Sequence, residues 1–173
     1  MVDEKVVKKA IKGNDKAFII LMNQSKEQIY RTAFAYVKDK EIALDIVQEV
    51  VCKAYKSIEK LKEPKFFNTW IMRIAINVSV DFYKSKSKVV YMEKEEVLSK
   101  IDAKYCDNDE RLFLMESLDK LDEKYKKIII LKYFDDLTFK DIAAILDMPE
   151  NTVKTNLYKG LSILRNDMKE GVI

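Results

Sequence analysis

Asn151, Lys154, Thr155 and Tyr158 recur at steps of three and four residues, with Thr152 and Lys159 at the edge of the same helical face. These side chains bind rather than catalyse. Lysine ammonium groups neutralise phosphates, and an asparagine amide matches the N6/N7 edge of adenine. Behind them Val153, Leu157, Leu161, Leu164 and Met168 form an apolar stripe, so the spacing predicts a helix from about Pro149 to Met168. A shorter helix precedes it. Thr138 and Asp141 make a capping-box-like start, and Ile142, Ala143, Ile145 and Leu146 give it an apolar side. Asp147-Met148-Pro149 ends it, because proline cannot continue a helix but can begin one. A helix, a tight turn and a second helix with a polar N-terminal half suit a DNA major groove better than they suit a solvated hairpin.

Two more polar stripes lie upstream. Arg73, Asn77, Asp81 and Lys84 follow one another at steps of four, four and three, opposite Phe67, Ile71, Ile74, Ala75, Val78 and Phe82. Ile76 and Val80 make the rest of this helix apolar, which marks it as a central one. Trp70 stands at the border of the stripe, after the Phe66-Phe67 pair. An aromatic ring beside amide and cationic groups suits unstacked bases; a core aromatic is the plainer reading of Trp70 taken alone. Farther back, Asp45, Gln48, Glu49, Cys52 and Lys56 share a stripe, while Ile46, Val47, Val50, Ala54 and Ile58 point elsewhere, mostly to a core.

The composition says what carries these faces. The 173 residues include 3 Gly, 2 Pro and no His, with 48% hydrophobic and 35% charged residues, which fits a soluble all-helical protein. No histidine base is available and no Gly-rich run could cradle phosphates, so an enzyme is not expected. Two cysteines, Cys52 and Cys106, make neither a disulfide framework nor an ordinary zinc site, and no metal or cofactor is expected. No apolar run approaches membrane-spanning length and the start MVDEKVVKKA is not a signal peptide, so a cytoplasmic protein is expected. The net charge of +3 is uneven. Residues 1–108 hold 21 Lys/Arg against 16 Asp/Glu, and residues 109–173 hold 11 against 13. The half with the DNA-reading motif is slightly acidic, so its own DNA affinity should be weak and something else should deliver it.

The pattern divides the chain into residues 1–84, a linker at 85–109 and residues 110–173. The first part reads as four helices: about Asp3–Lys12, broken by Gly13-Asn14; Asp15–Val37; a third opened by Asp39 and ending near Leu61; and about Phe67–Tyr83. The loop LKEPKFFN separates the last two, since Pro64 blocks a continuous helix. The linker is charge-rich and without sustained periodicity, and reads as flexible. In the last part Leu112, Leu114, Met115 and Leu118 mark one helix, and Asp122 caps another carrying Tyr125, Ile128, Ile129, Leu131 and Lys132. The helix-turn-helix follows.

Four segments, in this order, resemble the extracytoplasmic-function (ECF) group of bacterial sigma-70 factors. AIKGNDKAF resembles its opening helix break, DIVQEVVCKAY its polymerase-binding helix, WIMRIAINVSVDFYK its promoter-melting helix, and LDKLDEKYKKIIILKYFDDLTFKDIAAILDMPENTVKTNLYKGLSILR its region four. The resemblance implies two all-α domains, regions two and four, in a specificity subunit without catalysis. Region two would dock on the β′ clamp helices of core RNA polymerase through Asp45, Gln48, Glu49 and Cys52. It would capture the melted −10 strand with Phe66, Phe67, Trp70, Arg73, Asn77, Asp81 and Lys84. Region four would sit on the β flap and read the promoter −35 element with Glu150, Asn151, Thr152, Lys154, Thr155, Tyr158 and Lys159. An anti-sigma factor, often membrane-anchored in the group, is the expected inhibitor. The competing reading is a helix-turn-helix regulator with an unrelated sensor, for which residues 45–55 and 70–84 have no use. The chain departs from the group's pattern at Asp122 for proline, Asp136 for a turn glycine, Val51-Cys52 for Phe-Leu, Lys84 and Asn156 for arginine, and Gly160 for alanine. Gly160 inside a helix should cost about 1 kcal/mol relative to Ala.

Overall fold

A computed structural model of the chain describes residues 2–90 and 117–170. Every regular element among the described residues is helical: α1 (Glu4–Ile11), α2 (Asp15–Val37), α3 (Lys40–Ser57), α4 (Phe67–Val90), α5 (Glu123–Tyr133), α6 (Phe139–Leu146) and α7 (Glu150–Glu170). Two single 3-10 turns, Ile58–Lys60 and Pro64–Phe66, join α3 to α4, and residues 117–120 are helical ahead of α5. The chain divides into two compact units: Met1–Tyr83 with Ala144–Asp147, which holds α1–α3 and most of α4, and Lys84–Ala143 with Met148–Ile173, which holds α5, α7 and most of α6.

Short polar side chains set the helix starts. Asp3, Asn14 and Asp39 accept the backbone N–H groups of Lys5, Ala17 and Ile42 at 2.8, 2.9 and 2.9 Å, each satisfying one orphan donor of a first turn. Gly13 has φ +84°, the left-handed geometry that ends α1, and Lys38 closes α2 with φ +56°. Asp122 caps α5 by accepting from Lys124 N–H at 3.1 Å. That bond, and then the Lys124 ammonium, holds the Asp122 carboxyl below the usual carboxylate range. Its folded value is the lower one, so the cap contributes above the ordinary carboxylate range and is lost as acid protonates it.

In the first unit α2, α3 and α4 bury Leu21, Ile29, Tyr36, Ile46, Val50, Ile71, Met72 and Ile76 almost completely. Ala33, Ala43, Ala54 and Ala75, each with no exposed surface, let the helices approach closely. The buried hydroxyls of Thr32 and Ser79 donate to the carbonyls of Gln28 and Ala75 one turn back, so the core holds them without an orphaned donor. α1 packs on α2 and on both 3-10 turns.

α4 runs to Val90, seven residues past the end expected at Tyr83. The residues KSKSKVV hold no glycine, proline or capping signal, so nothing local stops the helix. The remainder of the 85–109 linker, Cys106, and Leu112, Leu114 and Met115 lie outside the described residues.

In the second unit α5 packs against α7. Gly160 stands at their crossing. A Cβ there would lie 3.0 Å from both Tyr125 Cβ and Ile129 Cδ1, so the glycine permits a close approach that its helix propensity alone does not explain. Lys126 is 1% exposed, and its ammonium meets the Asp119 carboxylate at 2.7 Å. A buried charge that loses its partner is far more costly than a partly exposed one. Asp119→Ala should therefore lower stability by about 2 kcal/mol, below the full cost of breaking a buried pair because Asp119 is itself partly exposed. Lys126→Met should cost less, since the carboxylate left behind can hydrate. Equal losses in thermal or denaturant melts would contradict this.

Candidate nucleic-acid interface

The helix-turn-helix is assembled from local bonds. Asp141 N–H donates to Thr138 Oγ1 at 3.2 Å, and the Thr138 hydroxyl and N–H donate to Asp141 Oδ2 at 2.6 and 3.4 Å. This is the reciprocal capping box that Thr138 and Asp141 suggest. Asp136, in place of a turn glycine, has φ +50°, and Asp147 has φ +54°. Aspartate tolerates that geometry better than most residues. Pro149 stands just ahead of α7, its carbonyl accepting from Thr152 and Val153.

On α7, Val153, Leu157 and Leu164 are buried and Leu161 is half-buried. Glu150, Asn151, Thr152, Thr155, Tyr158 and Lys159 are exposed together. Tyr158 is 66% exposed. Lys154 differs from the rest. It is half-exposed, its ammonium pairs with Glu150 at 2.8 Å, and it lies 5.5 Å above the Phe139 ring of α6. Lys132 lies over the same ring at 5.4 Å. A lysine tied to a carboxylate neutralises phosphate only by giving up that pair, at a cost of about 0.3–0.5 kcal/mol for an exposed pair one turn apart.

The second face lies on α4. Between Phe67 and Ser85 only Asn68, Arg73, Asn77, Asp81, Lys84 and Ser85 are exposed. Burial of Ile71, Met72, Ala75, Ile76, Val78, Ser79 and Val80 closes every other side. Between Phe67 and Ser85 the polar stripe is therefore the most open line of the helix. Beside it a cavity of about 450 Å³ is lined by Lys53, Lys56, Ser57 and Lys60 and by Ile74, Asn77 and Val78 of α4. It is a shallow depression that opens widely to solvent rather than an enclosed pocket. An amide, an apolar floor and three ammonium groups suit a base edge and its phosphate.

The Phe66-Phe67 pair splits. Phe66 is 50% exposed, with Lys65 Nζ 5.0 Å above its ring. Phe67 is 1% exposed, which corrects the expectation that it contacts DNA: it begins α4 pointing into the core, where no base can reach it. Trp70 is half-buried against Phe67, with ring centroids 5.9 Å apart, and keeps an edge at the surface.

On α3, Asp45, Gln48 and Cys52 are exposed, and Glu49 is half-buried in an ion pair with Lys53 at 3.6 Å. The same helix exposes Leu44 at 53% and Tyr55 at 54%, and α2 exposes Ile19 at 56%. The Tyr55 hydroxyl donates to Asp15 Oδ1 at 2.9 Å, and its ring meets Phe18 edge-on at 5.2 Å. The carboxylate acceptor raises the phenol above its ordinary range. Exposed apolar groups around a polar stripe mark a protein-binding surface more than a solvated one.

Sequence reasoning missed Lys53, Ser57 and Lys60 as neighbours of Asn77, and set Lys56 with the α3 stripe. The signal was present: Lys53, Lys56 and Lys60 are spaced three and four apart on one helical face. Which helix covers that face is a tertiary fact.

Two family models match the chain: sigma-70 region 2 over residues 21–89 and sigma-70 region 4 over residues 113–164. The chain is 40% identical to the RNA polymerase sigma factor SigV of Bacillus subtilis, over 89% of this chain and 93% of that protein. It is 29% identical to the ECF RNA polymerase sigma factor SigW of the same organism, over 98% of each. Its fold is similar to that of the sigma factor RpoE from Bartonella quintana, solved in complex with the anti-sigma factor NepR, with a TM-score of 0.69, 18% identity, and 89% of this chain and 98% of that one covered. The chain belongs to the extracytoplasmic-function (ECF) group of the sigma-70 family of RNA polymerase sigma factors.

Proposed function

We propose that this sigma factor binds core RNA polymerase through the α3 face, reads the −35 element with the first three turns of α7, and holds the melted −10 strand on α4. The observation that carries this reading is the pairing of two exposed, polar helical faces on two units of one chain. A helix-turn-helix regulator would use the first face and leave the α4 stripe and its cavity without a purpose. The role is one of binding, with the bond-making done by the polymerase.

Each face has its own division of labour. On α7, Asn151 and Glu150 present the two edges that distinguish adenine and cytosine, Lys159 meets a phosphate, and Tyr158, Thr152 and Thr155 fill the groove. On α4, Asn77 contacts a base lifted from the stack into the cavity. Asp81 supports its polar edge, Arg73 and Lys84 hold the backbone, and Phe66 and the exposed edge of Trp70 offer stacking surfaces. Lys53, Lys56 and Lys60 line the same cavity as cations for the phosphate. On α3, Asp45, Gln48, Glu49 and Cys52 meet the β′ clamp helices with Leu44 at their side, and the second unit sits on the β flap. Weak single contacts suffice, because two linked readers held by one enzyme act at high effective concentration.

We also infer an anti-sigma partner, supported by the complex in which the similar fold was solved. It would cover the α3 face and so compete with the polymerase. No helix among the described residues is long and apolar enough to cross a membrane. The chain acts in the cytoplasm, and any membrane tether belongs to the inhibitor.

Three variants test the three faces. Asp45→Ala with Gln48→Ala should weaken retention on core polymerase and leave the melting temperature unchanged; undiminished retention removes α3 from the interface. Asn77→Ala should reduce permanganate-reactive thymines in the open complex while closed-complex binding persists, and equal reactivity would refute the assignment. Lys159→Ala should weaken −35-dependent binding and reduce the salt slope of holoenzyme binding by about 1, the loss of one phosphate contact. An effect seen only on promoters with altered −10 sequences would contradict that placement.

A further inference from the structure

Lys5, Lys8, Lys9 and Lys12 form a second cationic surface that none of the three faces uses. At 3.6 residues per turn they fall within about 100° of one another on α1, directly opposite the buried Val7 and Ala10. All four are exposed, and none has an ion-pair partner among the described residues. Stabilisation of the helix does not account for the stripe. Cations favour the last turn, but Lys5 lies in the first, where the helix dipole opposes it. The stripe is about 10 Å long, at 1.5 Å of rise per residue.

Its position supplies the partner. α1 packs on the turns Ile58–Lys60 and Pro64–Phe66, which lead into α4. Lys60 of the first turn lines the Asn77 cavity, and Lys62 and Lys65 beside it are exposed. Exposed cations therefore lie on the turns between the cavity and α1, interleaved with the exposed Glu59 and with Glu63, which pairs with Lys65 at 4.0 Å. We propose that the α1 lysines are a phosphate rail that contacts the DNA backbone on the side of the melted segment away from Lys84. The inference rests on the placement of the −10 strand on α4, and it adds a contact that is electrostatic and independent of sequence.

Holoenzyme assembled from the full chain and core polymerase would be titrated onto a fluorescent promoter duplex and onto a scrambled duplex across a series of salt concentrations. The comparison is wild type against the fourfold Lys5→Gln, Lys8→Gln, Lys9→Gln, Lys12→Gln variant. Glutamine keeps good helix propensity, and circular dichroism melts check the fold. At about 0.9 per phosphate, the variant should lose up to about 3.6 from the slope of log affinity against log salt if all four lysines meet phosphates, equally on both duplexes. An unchanged slope overturns the proposal, as does a weaker grip on core polymerase with the slope intact, which would assign the stripe to a protein partner. A wild-type holoenzyme that did not prefer the promoter would overturn the parent reading instead, and the slope on scrambled duplex would still decide the rail.

Discussion

Burial of α4 on nearly all sides is the constraint on which the rest of the first unit depends. Ile71, Met72, Ala75, Ile76, Val78 and Val80 spread around the helix rather than along one stripe, so α4 can be satisfied only at the centre of a bundle. α2 and α3 must close around it, and α1 and the two turns must seal its N-terminal end. What is left is one line of side chains, Arg73, Asn77, Asp81 and Lys84, held on a helix that cannot tilt without opening the core. Each fully buried Leu, Ile or Phe contributes about 1.5–3 kcal/mol, so the stripe is fixed by many groups that never touch a ligand. The seat for a base proposed on α4 would need that rigidity.

The second unit meets a different requirement with local means. A short helix of eight residues is marginal by itself. The Thr138–Asp141 capping box starts α6, and the left-handed Asp147 turns the chain into α7. Gly160 lets α5 lie close against α7, and the Lys126–Asp119 pair closes the far side of α5. The reading face is weakly cationic because Glu150 occupies Lys154. In a subunit delivered by a large enzyme, low intrinsic affinity is useful, since a strongly cationic face would hold the free chain on arbitrary DNA.

Legibility in the sequence followed the range of the interaction. Asp3, Asn14, Asp39, Asp122 and Thr138 mark their helix starts because a cap is made within three residues. The α4 stripe was legible because its apolar partners occupy every other position. The residue pattern already placed Phe67 on the apolar side of α4, and only the resemblance set it beside Phe66 as a DNA contact; the roughly 100° step between neighbouring residues turns one ring to the core and leaves the other at the surface. Lys53, Lys56 and Lys60 were visible as a face, but only the approach of α4 makes them the wall of a cavity. Gly160 looked like a propensity defect until α5 was beside it, and nothing in the sequence singled out Lys126 as buried. The extension of α4 past Tyr83 had no stop signal to deny it; high charge and the lack of sustained periodicity suggested a linker there.

The most direct test of the central claim is reconstituted transcription. The purified chain and bacterial core polymerase would act on a genomic promoter library, with the transcript start sites sequenced. The account predicts discrete starts that share two spaced motifs and vanish when the chain is omitted. Starts unchanged by the chain, together with its failure to remain on core polymerase, would contradict it.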